Sequence, residues 1–193
     1  MEKKSINKKS VFIIVLSIVL IVIGIVSFNI YKNNKIRALV PQIEQYQKEL
    51  QFDKVKEVCD KLDKLGYNVD DIKKANEYDL EVADTLINYL QALNDANHKL
   101  NQGIGVSLSD VLQDLREPYE AFADLEDSEL TDLGKYIKEL KDNPVHELLV
   151  NKYIYNYSSN NNSLLEMSYV VIVQNAIYSV FDIEQPFEYD FDK

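Results

Sequence analysis

The sequence predicts an all-α chain: an N-terminal transmembrane helix followed by a multi-helix bundle or a short helical-hairpin array. Three observations carry this. Residues 11–30, VFIIVLSIVLIVIGIVSFNI, form an uncharged run of almost nothing but Val, Ile, Leu and Phe. Apolar residues then recur every three or four positions over most of the chain, which is the period of an amphipathic helix. Helix breakers are few, with five Gly and four Pro in 193 residues. Hydrophobic content of 46% with 27% charged residues belongs to a chain that folds.

The apolar run is the first element. About 20 helical residues at about 1.5 Å each match the hydrocarbon thickness of a bilayer. Core helices rarely stay apolar on every face for that length. A cleaved secretion signal is the nearer alternative, because Lys3, Lys4, Lys8 and Lys9 form a basic leader. The run is longer than a usual signal core, however, and its exit, SFNIYKNNK, offers no small-residue cleavage site. The expectation is therefore an uncleaved signal anchor. The positive-inside rule places the N-terminus in the cytoplasm by a narrow margin, since Lys32, Lys35 and Arg37 flank the far end. The expected organisation is a basic cytoplasmic segment at 1–10, the anchor at 11–31 and a juxtamembrane linker at 32–40. An acidic helical domain at 41–182 and an acidic, aromatic, irregular tail at 183–193 complete it.

The domain's helices follow in order. Val40, Ile43, Tyr46 and Leu50 share one face. Phe52, Val55, Val58, Cys59, Leu62 and Leu65 share the next, with Gly66 as its stop. Asp70 or Asp71 is placed to cap a long third helix. Its stripe runs through Ile72, Ala75, Tyr78 or Asp79, Val82, Leu86, Tyr89 or Leu90, Leu93 and Leu100. GIGVS breaks it. Ser107 with Asp110, or Ser109, opens a helix that Pro118 kinks or restarts. Ser128 is expected to begin another. Asn143 and Pro144 are a cap and first-turn pair. Ser163 and Glu166 form a capping box for LLEMSYVVIVQNAIYSVF. That run is rich in β-branched residues, but its length and cap favour a helix, expected to be the central buried one.

Charge narrows the function classes. Residues 1–37 hold seven basic residues and one acidic, a net +6, and the remaining 14 basic and 31 acidic residues give −17. So acidic a domain repels phosphate backbones, which excludes nucleic acid as a partner. Cys59 is the single cysteine, so neither an internal disulfide nor a Cys-based zinc site can form.

Catalytic patterns are missing. His98 and His146 are the two histidines, and HELLV carries Val150 where a zincin needs its second His. GIGVS is not a dinucleotide fingerprint, and there is no phosphate-binding loop or nucleophile elbow. The acidic stretch 124–132 lacks the Gly and closing Glu of a calcium loop. Glu188, Asp190 and Asp192 alternate in the tail and read as solvated charge. Paired carboxylates such as Glu117 and Glu120 near Pro118 could serve hydrolysis of wall polymers, but only in a cleft that holds them about 5–10 Å apart. The sequence thus implies no catalytic residues, cofactor, metal or small-molecule ligand.

Tyrosine is the suggestive excess, at 13 residues. Tyr153 and Tyr157 are four apart and share a helical face beside the Asn-rich loop at 158–163. They are the candidate partner-binding residues, because Tyr is enriched in recognition patches. The competing reading is that the rings fill the margins of the core. The expected function is a non-catalytic, single-pass envelope module at the cell membrane. Its C-terminal domain would be extracytoplasmic and recognise a protein or another copy of itself. The alternatives are a cytoplasm-facing scaffold and, less favoured, the carboxylate hydrolase.

Overall fold

The computed structural model describes residues 8–102, 106–157 and 163–191, with side chains from 16 and, in the last segment, from 167. Every regular element among them is helical. The predicted loop glycines Gly103 and Gly105, the loop at 158–162, Asp192 and the capping side chains Ser163 and Glu166 lie outside what is described.

Helix α1 (Lys8–Lys48) is 41 residues long and unbroken. The linker expected at 32–40 does not exist as such. It is helix, and Ile36, Leu39, Val40 and Ile43 pack on Val55, Val58, Cys59 and Leu62 of α2 (Phe52–Lys64). The spacing of those four residues keeps them on one stripe, so the packing that secures α2 also holds α1 helical up to its apolar part. Pro41 lies inside α1 on an exposed position.

Both ends of this hairpin close with the same paired hydrogen bonds. Gly66 takes the left-handed conformation, φ 69°, its N–H donating to Asp63 O at 2.7 Å while the Tyr67 N–H donates to Leu62 O at 3.0 Å. That is a Schellman cap, and it confirms the stop expected at Gly66. At the end of α1 the same pattern is built on Leu50, φ 54°, with Leu50 N–H on Gln47 O and Gln51 N–H on Tyr46 O. A left-handed non-glycine costs about 1–2 kcal/mol. Leu50 offsets this by packing half-buried against the main core.

Helix α3 (Asp70–Gln102) is the axis of the molecule. Asn68 Oδ1 accepts from the Asp70 N–H, so Asn68 does the work expected of Asp70 or Asp71. The first turns of α3 complete the small hairpin core through Val69 and Ile72. From Val82 to Leu100 it carries the main core, stacked above the hairpin along the same helix. Around it stand α4 (Leu108–Asp114), α5 (Arg116–Ala123), α6 (Asp132–Asp142), α7 (Pro144–Leu148) with a π-helical turn (Leu149–Ile154), and α8 (Ser163–Phe181).

Ser107 caps α4 through the Asp110 N–H, and Asn143 caps α7 through the Val145 and His146 N–H groups, as the sequence implies. Pro118 offers no N–H to the Asp114 carbonyl, and the chain restarts at Leu115. Helix α6 begins later than expected. Thr131, not Ser128, accepts from the Gly134 N–H, and Ser128 instead closes a turn with the Leu130 N–H.

Helix α8 is helical as expected but not central. Val173, Ala176, Ile177 and Val180 are buried, while Met167, Val171, Ile172 and Tyr178 face outward. The 183–191 tail is irregular yet docked. The Glu188 N–H donates to Lys48 O at 2.8 Å, Phe187 is buried, and Gln91 and Asn94 both donate to Phe191 O.

A fragment of residues 34–193 should therefore melt cooperatively with a strongly helical circular dichroism spectrum. A fragment beginning at 41 should melt several degrees lower, having lost Ile36, Leu39 and Val40 from the hairpin core. Equal melting temperatures would show that Ile36, Leu39 and Val40 contribute nothing to the stability of the fold.

Candidate functional site

Tyr153 and Tyr157 do share a face, as their spacing requires, but that face turns inward. Tyr153 is 2% exposed and meets the Tyr169 ring of α8 edge-on at 6.2 Å; Tyr157, half-buried, meets the same ring at 5.9 Å. The surface patch expected of this pair is thus corrected to a contact between the π-helical turn and α8. The wide turn directs Leu149, Val150, Tyr153 and Ile154 into the core together, leaving Tyr155 as the exposed ring. Recognition through Tyr153 is closed off by its own packing.

A second aromatic group surrounds His146. Tyr89 of α3 stacks on Phe122 at 4.6 Å, and both meet the imidazole edge-on at 5.7 Å. His146 is 2% exposed. The Leu140 carbonyl accepts from the ring, which leaves Nε2 as acceptor for the Tyr89 hydroxyl at 2.7 Å. Burial holds the imidazole neutral, its pKa pushed down to about 4, against the opposing pull of the Leu140 bond. A cavity of about 230 Å³ opens beside it, lined by Tyr119, Lys141, Glu147 and Asn151 among others. Lys141 Nζ is engaged by the Ala123 and Leu125 carbonyls. Through the Tyr89 bond and its ring contacts, His146 ties α7 to α3.

The third and most polar group was the one the sequence concealed. Asp79 on α3 is 4% exposed and lines a cavity of about 320 Å³ with Glu44, Lys48, Phe52, Thr131 and Phe187. The end of α1, the start of α6 and the tail all meet here. The Thr131 hydroxyl donates to the carboxylate while its oxygen accepts from the Gly134 N–H at 2.9 Å. Asp79 therefore braces the cap of α6 from α3. Its Oδ1 is buried and has no hydrogen-bond partner. Burial raises the Asp79 pKa to about 6; the Thr131 bond opposes the rise and Asp132 adds to it. The signal was in the stripe itself, where position 79 falls in register with Val82 and Leu86, but an acid there reads as surface.

Comparison with protein-family models, with curated proteins and with solved structures finds no match. The remaining candidates stand apart from one another. Glu117 and Glu120 lie on the exposed side of α5, and His98 is exposed on α3. Cys59 is fully buried in the hairpin core, where burial pushes its thiol up despite Lys73. Among the described residues no three His, Cys, Asp or Glu side chains converge as metal ligands.

Among the described residues one apolar stretch is left uncovered by the rest of the fold. Residues 16–30 of α1 are exposed on every side, with Leu20 and Ile21 at 61% and Phe28 at 63%. Among the described residues α1 is the one helix long and apolar enough to cross a membrane.

Proposed function

We propose that the protein is a single-pass, membrane-anchored helical module that acts by binding another protein, without catalysis, with its domain on the extracytoplasmic side. The observation that carries the anchor is the continuity of α1. An apolar helix exposed on all faces would be insoluble alone, yet it runs unbroken into a stretch packed against α2. A bilayer removes that apolar surface from water at about 25 cal/mol per Å². The two buried polar groups, Asp79–Thr131 and Tyr89–His146, both tie helices together. That favours recognition over chemistry.

The surface best suited to recognition is the outer face of α8, where Met167 is 68% and Val171 54% exposed, with Ile172 and Tyr178 beside them. It takes over the role first expected of Tyr153 and Tyr157. The basic residues Lys32, Lys35 and Arg37 after the apolar run favour a second reading, in which the domain faces the cytoplasm.

Carbonate washing of membranes should leave the chain in the pellet, and protease added to intact cells should remove the domain. A chain released by carbonate overturns the anchor, and a protected domain favours the cytoplasmic reading. Val171→Lys with Ile172→Lys should abolish co-purification of crosslinked partners and leave the melting temperature within a few degrees, because exposed substitutions cost under about 0.5 kcal/mol.

A further inference from the structure

The hairpin brings the turn between α2 and α3 back to the level at which the apolar run of α1 ends. Helix α1 leaves that run at Ile30 and Tyr31, and α2 returns antiparallel along it. Lys32 Nζ lies 3.4 Å from where a Cβ on Gly66 would stand. Tyr67, the next residue, is exposed, as is Tyr31, whose ring lies 5.8 Å from Lys35 Nζ. Two tyrosines from separate elements thus stand within one lysine length of the same level, in a chain that has no Trp.

Charge is partitioned along the same axis. Residues 75–193 carry 7 basic and 23 acidic residues, a net −16. Residues 32–37 and 57–74, which form the hairpin's near end, carry seven basic and five acidic, a net +2. Of those acids, Asp60 and Asp63 are held by Lys73 at 3.5 and 2.9 Å, and Asp70 and Asp71 sit at the positive end of α3. Lys64 and Lys74 are exposed beside the turn. Tyr is favoured at the headgroup level, and basic residues are drawn to anionic lipid within about a Debye length.

We propose that the α2–α3 turn docks on anionic phospholipid headgroups. Tyr67 sits beside Tyr31 at the interface and Lys64 and Lys74 meet lipid phosphates. The −16 body is repelled from the same surface, so the molecule stands upright on its anchor. This rests on the reading of α1 as a membrane span and adds a second, reversible contact to it. The unbroken helix makes the contact geometric: with residues 11–31 in the bilayer, no free linker remains to carry the turn away.

The test reconstitutes the full chain in phosphatidylcholine vesicles containing phosphatidylglycerol and a headgroup-linked quencher. Single cysteines at Tyr31→Cys, Tyr67→Cys and Tyr189→Cys carry an environment-sensitive fluorophore, and Cys59, fully buried, stays unlabelled. Position 189 packs near Asn88, roughly 25 Å further along α3 at about 1.5 Å per residue. Most of the emission should be lost at positions 31 and 67 and little at 189. Lys64→Glu with Lys74→Glu, or omission of phosphatidylglycerol, should restore emission at 67 and leave 31 quenched. Quenching at 31 without quenching at 67 overturns the docking and spares the anchor. Vesicles that float without the chain overturn both. Quenching at 67 that ignores the lysines and the anionic lipid overturns the headgroup contact.

Discussion

Gly134→Ala should be among the most damaging single-methyl changes available in this protein. Helix propensity alone points the other way, since Ala in place of Gly inside a helix stabilises by about 1 kcal/mol. Gly134 lies in the first turn of α6, where an added Cβ would stand 2.2 Å from the Ser128 carbonyl oxygen and 2.9 Å from its carbon. Those are backbone atoms that no rotamer change can clear. The turn before α6 must move, which disturbs the Gly134 N–H to Thr131 cap and, through Thr131, the brace from Asp79. Overpacking costs about 1–3 kcal/mol and a lost cap about 1, so the net should be roughly 2–4 kcal/mol destabilising. For a domain of this size that lowers Tm by on the order of 5–15 °C. Gly24→Ala, with nothing within 4 Å of the new atom, is the control and should leave the domain's melting unchanged. A Gly134→Ala domain that melts at or above the parent temperature would show that the 128–131 turn yields freely.

The second large effect is a pair of opposed titrations. Asp79 releases its proton near 3.8 when unfolded and near 6 in the fold, so between these values the folded state holds a proton the unfolded state has lost. Its contribution to stability therefore falls as pH rises from about 4 to 6. His146 shifts the other way, from 6.5 unfolded to about 4 folded. As pH falls from 6.5 to 4 the unfolded chain gains a proton that the fold refuses, and stability is lost. Each shift corresponds to a few kcal/mol at most, and about 1–2 for Asp79 once solvent near its cavity is allowed for. Between pH 4 and 6.5 the two largely cancel.

Asp79→Asn removes one side of the balance. It should raise Tm at pH 7 relative to the parent, and the gain should vanish by pH 4. Its Tm should then fall with acid more steeply than the parent's. Thr131 keeps an acceptor in the Asn side-chain carbonyl, so the α6 cap is spared. Melting curves of the two proteins from pH 4 to 7 decide the matter. Parallel pH profiles with a constant offset would mean that Asp79 titrates normally in the fold.

These two sites mark how far the sequence could be read. Gly134 is an unremarkable first-turn residue in GKYIKEL, and nothing in that string reports the Ser128 carbonyl folded over it. Asp79 was in the helical stripe, but a stripe names the residues that share a face and is silent on how tightly the face is covered. Tyr153 and Tyr157 make the same point from the other side. Their common face was legible from a spacing of four; that Tyr169 of α8 would close it was not. The linker expected at 32–40 is a like case, because KNNKIR is polar enough to pass for one until α2 supplies a partner for Ile36 and Leu39.

What the sequence by itself determined is what neighbours along the chain decide. These are the uniform apolar run, the helical period, the cap at Asn143, the stop at Gly66 and a break of some kind at Pro118. Each depends on backbone hydrogen bonds and torsions within a few residues. Only the tertiary structure decided which faces meet. It placed Asp79 beneath Thr131 and His146 beneath Tyr89, turned Tyr153 inward, left one side of α8 bare and returned Tyr67 to the level of Tyr31. Those outcomes depend on contacts between residues far apart in sequence, and burial, with the desolvation that shifts a charge, exists only once such contacts have formed.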